Sequence, residues 1–335
     1  MTAIYNNIKN NIFQEKHHVI TNMSYHNLDT VVRNLDIFEN REYVIIKLIK
    51  NNKKRGVYLC SNKFKEKKIL KFIVKSSTTQ KQLDIFNFFM YNEHPNFCKI
   101  DKILNVDLFL VLIMDYIEGC TLLEYFDNIQ KNDSPKNACD ISDSSTEYKS
   151  CNSNKIYYYQ LLYDLVSSIS YIHSHNIIHG DIKPDNIIIN NTGTPIFIDY
   201  DLGKIITSVT NDETNNNSVI LTKYTNSIFG TNFFIPPEMY QYGKYSIKTD
   251  IWTLGMSIFI SIPEIRSQIN INDDNLQYSL ISDIIQTREI KRKFGSLFAN
   301  IINIMLIKDD EKRPCTAKIL EFLRKSKYYS RINIL

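Results

Sequence analysis

A chain of 335 residues, 43% of them hydrophobic, carries enough apolar material for one large domain or two modest lobes. Its 40 basic and 36 acidic side chains leave a formal net charge of +4, too small an excess for a nucleic-acid-binding arm. No apolar run approaches the ~18 residues of a membrane span, and the longest, LFLVLIM at 108–114, is strand-sized. The six cysteines, Cys60, Cys98, Cys120, Cys139, Cys151 and Cys315, include no CxxC pair, which argues against a zinc ribbon. Scattered thiols in a chain of this length point to a reducing compartment, so an intracellular, cytoplasmic protein is expected. MTAIYNNIKNN has no apolar core of the signal-peptide kind.

Residues 1–40 are polar and weakly patterned and read as an N-terminal extension. REYVIIKLI and RGVYLC have the β-branched and aromatic density of short strands. KILKFIVK alternates, with Ile69, Lys71 and Ile73 on one face, and LDIFNFFMY reads as a helix. DLFLVLIMDY is a buried strand that runs into the punctuation of DYIEGC. Residues 131–155, rich in Ser, Asn and Asp, read as a polar insert in loop conformation. Leu162, Leu165, Ile169 and Ile172 then recur at helical spacing. That helix delivers the chain into IIHGDIKPDNIII, Ile177 to Ile189, where apolar triplets flank a polar core. NTGTP turns between NIIIN and PIFID, and beyond residue 240 the pattern is mainly helical. The expected fold class is α+β, β-rich first and α-rich after.

The polar core of 177–189 suits phosphoryl transfer. That reaction needs a carboxylate to orient the attacking hydroxyl, oxygen ligands for Mg²⁺, and a cation near the transferred group. Asp181 supplies the first, Asn186 with Asp199 the second and Lys183 the third; Asp199 ends the strand PIFI. His179 reads as a packed loop histidine and Trp252, the only tryptophan, as a core residue.

HGDIKPDN resembles the catalytic loop of eukaryotic protein kinases, HRDxKPxN. Four further stretches resemble that family in order: VLIMDYIEG at 111–119, GTNFFIPPE at 230–238, DIWTLG at 250–255 and MLIKDDEKRP at 305–314. The resemblance covers about residues 41–328 and implies a bilobal kinase-like fold: an N-lobe over about 41–114, a hinge at 115–119 and a C-lobe over 120–328. It implies a serine/threonine-protein kinase that uses ATP with Mg²⁺ (Mn²⁺ as the alternative) to phosphorylate protein hydroxyls, Lys183 favouring Ser/Thr over Tyr. The Asn, Ile, Lys and Tyr bias would match an AT-rich genome; a viral source is the other option and would place the protein in a host cytoplasm. No nucleic-acid or membrane partner is implied, and a monomer is expected.

The resemblance also assigns residues. Asp181 and Lys183 are catalytic; Asn186 and Asp199 hold metal. Asp201, in DLG, is the rival to Asp199, but the 18-residue separation from Asp181 favours Asp199. Ile49 and Val57 sandwich adenine, whose edge bonds the backbone at Asp115 and Ile117 behind Met114. Lys71 anchors phosphate, with Lys75 as rival, and Asp84 is the one acid on the helix that usually carries its Glu partner. Thr231 bonds Asp181 and Lys183, Glu238 pairs with Arg313, and Asp250 holds the catalytic-loop backbone. The departures are the lost glycines of IKNNKKRGV, Gly180 in place of Arg, and Asp201 where DFG ends in Gly. They leave open a catalytically weak pseudokinase scaffold; a small-molecule kinase of the aminoglycoside or choline type, which shares HGDxxxxN, ranks last because that class lacks the GTxxxxPPE and DxWxxG pieces.

Overall fold

The computed structural model describes residues 42–52, 55–76, 79–106, 109–132, 144–206, 222–225, 228–269 and 278–331. The 1–40 extension and most of the segment between Ile206 and Thr222 therefore lie outside the described residues. Chain contacts divide the protein into two units, one of residues 1–76 and 100–116, the other of 77–99 and 117–335.

The described part of the first unit is one antiparallel sheet. Its strands are β1 (Tyr43–Asn52), β2 (Arg55–Asn62), β3 (Lys67–Val74), β4 (Ile100–Val106) and β5 (Phe109–Asp115), in the spatial order β1-β2-β3-β5-β4. The unbroken apolar run FLVLIM explains why β5 lies inside the sheet: six successive buried residues need cover on both faces. The β2–β3 turn closes on Asn62, whose Oδ1 accepts the N–H groups of Phe64 and Glu66, while Lys65 takes a left-handed φ of 65°. One face gathers Tyr58, Cys60, Leu70, Phe72, Phe109, Val111 and Ile113. Lys71 is on the other, directly across from Val57 and Leu112. β1 carries two bulges and leaves Val44, Ile46 and Ile49 exposed.

The second unit is mainly helical. It begins with α1 (Thr79–Tyr91), which buries Ile85, Phe86 and Phe89. A small sheet β6-β8-β9 joins β6 (Gly119–Thr121), β8 (Ile187–Asn190) and β9 (Pro195–Phe197), and β7 (Ile177–Ile178) pairs with β10 (Lys204–Ile205). β11 (Thr222–Tyr224) pairs with β12 (Lys244–Ser246). The helices that follow α1 are α2 (Leu122–Asn132), α3 (Ser144–Ser174), α4 (Pro237–Tyr242) and α5 (Ile247–Ser261). Leu162, Leu165, Ile169 and Ile172 of α3 are all fully buried, as their spacing predicts. α5 is buried all round and starts from a Ser246–Thr249 capping box. Among the described residues five further helices follow: α6 (Pro263–Arg266), α7 (Tyr278–Ile285), α8 (Arg288–Phe294), α9 (Ser296–Met305) and α10 (Thr316–Arg324).

The fold is α+β, as the sequence predicts. The loop reading of 131–155 is corrected in part: Ser144–Lys155 forms the first turns of α3, and α2 runs to Asn132. Once the later part of a helix is nucleated, each added residue gains a hydrogen bond for little further cost, so polar composition does not exclude helix. Cys60 and Cys98 are buried and Cys120 and Cys315 half-buried, none of the four in a disulfide.

Candidate active site

The loop between β7 and β8 is held from beneath by α5. Asp250, in the first turn of that helix and fully buried, accepts the backbone N–H of His179 at 2.8 Å and of Gly180 at 3.0 Å. It also bonds His173 Nε2 at 3.0 Å. About two turns further on, Ser257 Oγ donates to Ile182 O at 3.2 Å. A carboxylate that meets three donors in a dry interior fixes the backbone of the loop.

Gly180 turns the chain with φ +78°, and a Cβ there would stand 2.6 Å from the carbonyl oxygen of Leu202. Glycine answers both demands, the left-handed backbone and the close approach. The missing Arg is thus tied to a local geometry that the sequence alone does not reveal.

On this frame the polar side chains converge. Lys183 Nζ donates to Asp181 Oδ2 at 2.6 Å and to Thr231 Oγ1 at 2.9 Å, and Thr231 Oγ1 donates to Asp181 Oδ1 at 2.8 Å. Asn186, in the 3-10 turn Pro184–Asn186, donates its amide to Asp181 O at 2.9 Å and Oδ2 at 3.2 Å. Both carboxylate oxygens of Asp181 are therefore oriented, and the side chain has one fixed rotamer to offer. Asp185 between them points outward and is exposed.

Thr231 reaches this cluster because its segment is pinned downstream. Arg313 donates to Glu238 Oε1 at 2.7 Å and Oε2 at 3.0 Å, a bidentate pair with the guanidinium 0% exposed. Arg313 also donates to the carbonyls of Lys248, Ile307 and Lys308 and lies 4.9 Å from the ring centre of the buried Trp252. Asp310 ion-pairs with Lys244 at 2.8 Å.

The two rival acids beyond β9 differ in burial. Asp199 is half-buried, whereas Asp201 is 3% exposed. The residue between them, Tyr200, stacks on Phe89 at 3.7 Å, and its hydroxyl donates to Phe197 O and Cys98 O. Asp201 N donates to Asp199 Oδ1 at 3.1 Å. Asp201 shows no positive φ, so this conformation does not require the family's glycine. The backbone carbonyl of Asn186 accepts the N–H of Ile198, the residue before Asp199, at 3.1 Å.

His179 packs on Phe197 and Tyr200 with its Nδ1 3.4 Å from Asp181 N. Burial lowers its pKa, against the opposing pull of Asp250, Asp181 and Asp199, so it is held neutral. The unfolded chain then binds a proton that the folded chain refuses. Stability contributed by neutral His179 is present above the ordinary His range and is lost as pH falls through it toward the lowered folded value, by at most about 1.4 kcal/mol per pH unit. We expect Tm to fall between pH 7.5 and 5.5 by less in His179→Phe than in the wild type; equal losses in parallel thermal melts would exclude this assignment.

In the first unit, Lys71 is 5% exposed at the centre of its sheet face, Val57 is half-buried opposite it, and Lys75 is half-buried past the end of β3. Ile49 lies at the second bulge of β1 and is 48% exposed. Asp115 closes β5 and is half-buried. In the second unit, Ile117 is half-buried and Asp84 is on the exposed side of α1. Two features escaped sequence reasoning: the Tyr200 stack, which needs partners from distant segments, and the ion pairs of Lys68 with Asp101 and Asp115, which need strand register.

The chain matches the family model described as the protein kinase domain over residues 53–323. It is 28% identical over 239 residues to a probable serine/threonine-protein kinase of Dictyostelium discoideum, covering 65% of this chain and 46% of that protein. It is 29% identical over 169 residues to the serine/threonine-protein kinase PrkC of Bacillus subtilis, covering 50% of this chain and 21% of that protein. The chain thus spans less than half the length of either relative. Among solved structures it resembles the autoinhibited serine kinase domain of the giant muscle protein titin, with a TM-score of 0.59 and 18% identity, covering 88% of this chain and 83% of that one. At that identity the likeness concerns the fold.

Proposed function

This chain belongs to the protein kinase domain family, and from that premise we propose that it transfers the γ-phosphate of ATP to serine or threonine hydroxyls of a protein substrate. The observation that carries this reading is the Asp181–Lys183–Thr231 triangle, with all three contacts between 2.6 and 2.9 Å. Asp181 accepts the proton of the attacking hydroxyl and orients its oxygen; Lys183 places its ammonium where charge builds on the transferred group. Lys71 anchors the phosphates of the nucleotide, Ile49 and Val57 flank the adenine, and the backbone at Asp115 and Ile117 bonds its edge.

Magnesium fits the residues present. Among the described residues no cluster of three or more His, Cys, Asp or Glu could hold a metal ion. Mg²⁺ needs no such cage, since it takes one or two protein oxygens and completes its shell with phosphate and water. The side-chain nitrogen of Asn186 is committed to the loop, which leaves its side-chain oxygen Oδ1 as one ligand, with the Asp199 carboxylate as the other. When bound, the ion neutralises phosphate charge. The deep burial of Asp201 supports Asp199 as the ligand. No observation favours the pseudokinase or the small-molecule reading. No helix among the described residues is long and apolar enough to cross a membrane, and we place the protein in the cytoplasm.

Incubation of the wild type with γ-labelled ATP, Mg²⁺ and a mixed protein substrate tests the reading. Label on phosphoserine and phosphothreonine is expected; label only on small alcohols, or none from folded protein, would overturn it. In the same assay Asp199→Asn should raise the Mg²⁺ concentration for half-maximal transfer about tenfold, and Asp201→Asn should leave it within about twofold. The reverse order would exchange their roles.

A further inference from the structure

We propose that Lys68 is a positioning residue for nucleotide recognition, clamping three strands at the end of β5 so that the backbone of Asp115 is held in place for the adenine edge. This rests on the phosphotransfer reading above.

Lys68 stands directly opposite Asp115 in the β3–β5 ladder and is the last pair of that ladder toward the C-terminal end of β5. Its ammonium donates to Asp115 Oδ1 at 2.7 Å and to Asp101 Oδ2 at 2.6 Å. Asp101 belongs to β4, on the far side of β5. It reaches Lys68 because β4 slips register between Ile100 and Lys102, making Asp101 the extra residue of a bulge. A bulge re-aims a side chain that a regular ladder would commit to one face. One ammonium thereby ties β3, β4 and β5 together, with the Lys68 and Asp101 side chains half-buried and that of Asp115 40% exposed. The preceding residue gives a second tether: Lys67 Nζ lies 5.3 Å from the ring centre of Tyr116.

The placement argues for more than a brace. Strand β5 is already held by ladders on both sides over its length. The clamp acts at its terminal residue, where pairing ceases and strands fray. That residue is the one whose backbone the proposed chemistry uses, and a displacement of about 1 Å in such a group is costly. Lys68 touches no reacting atom, so its effect should appear in nucleotide affinity and base preference while the chemical step is spared.

The test is steady-state kinetics with ATP and GTP on the wild type, Lys68→Met and Lys68→Arg, with thermal melts alongside. Lys68→Met should raise KM for ATP about five- to twentyfold, keep kcat at saturating ATP within about twofold, and reduce the preference for ATP over GTP. Lys68→Arg, which keeps the charge and the reach to two carboxylates, should recover most of the loss. An active wild type whose KM and ATP preference are unchanged in Lys68→Met, even with a lowered Tm, would reduce Lys68 to a structural brace and overturn the inference alone. A folded wild type with no transfer and no ATP binding by calorimetry would overturn the phosphotransfer reading, and this one with it. Should Lys68→Met fail to fold, Asp101→Asn is the second variant: a several-fold rise in KM for ATP at unchanged kcat supports the clamp, and no change refutes it.

Discussion

Asp181→Asn should lower kcat for phosphate transfer by about a thousandfold or more, with KM for ATP changed only a few-fold. The carboxylate is the acceptor for the hydroxyl proton, and a positioned acid–base group contributes about 10²–10⁴-fold. Here it also organises its neighbours, since Lys183 and Thr231 both bond it and each other. An amide in its place cannot accept from all of them while presenting an anionic oxygen to substrate. Groups acting as one unit lose their contributions together, which puts the effect at the upper end of that range. The protein should remain folded, because Asn is isosteric and Asp250 still holds the N–H groups of His179 and Gly180. Rapid-quench and steady-state assays with circular dichroism check this; a variant within tenfold of wild type would remove Asp181 from the reaction.

Glu238→Ala should destabilise the fold by about 3–5 kcal/mol, the cost of leaving a buried guanidinium without its counter-ion. Glu238 and Arg313 are 5% and 0% exposed, so solvent screening does little to soften the loss. Three backbone carbonyls continue to accept from Arg313, which favours the lower end of the range. The damage should spread to activity, because Thr231 lies in the segment that this pair pins. Chemical denaturation reads the stability, and kcat measured well below the melting range reads the second effect. A joint replacement, Glu238→Leu with Arg313→Met, should recover part of the lost stability, as removing both charges removes the uncompensated one. A loss under 1 kcal/mol in Glu238→Ala would show the pair to be dispensable.

Much of this was readable from residue order. Strands were legible where β-branched residues cluster, as in β2 and β5, and α3 where leucine and isoleucine recur with the helical period. The polar loop 177–189 was legible because its chemistry depends on residue types at short spacing. Where the reading failed, it relied on composition alone. The start of α3 is polar, and polarity says which residues stay wet but not whether the backbone coils. The glycine at 180 looked like a simple loss of Arg; its positive φ and its approach to Leu202 depend on a chain segment folded against it.

The sequence by itself determined the α+β class, the family motifs and the identity of the side chains that converge near Asp181, since these follow from local periodicity and from chemistry written at fixed spacing. Tertiary structure decided which of two nearby acids is buried, with Tyr200 turned onto Phe89 between them and Asp199 left half-buried. It also decided that Lys68 meets two aspartates from two other strands. Such contacts depend on register and packing between segments far apart in the chain. A pattern read along one strand or helix carries no information about which distant residue will face it.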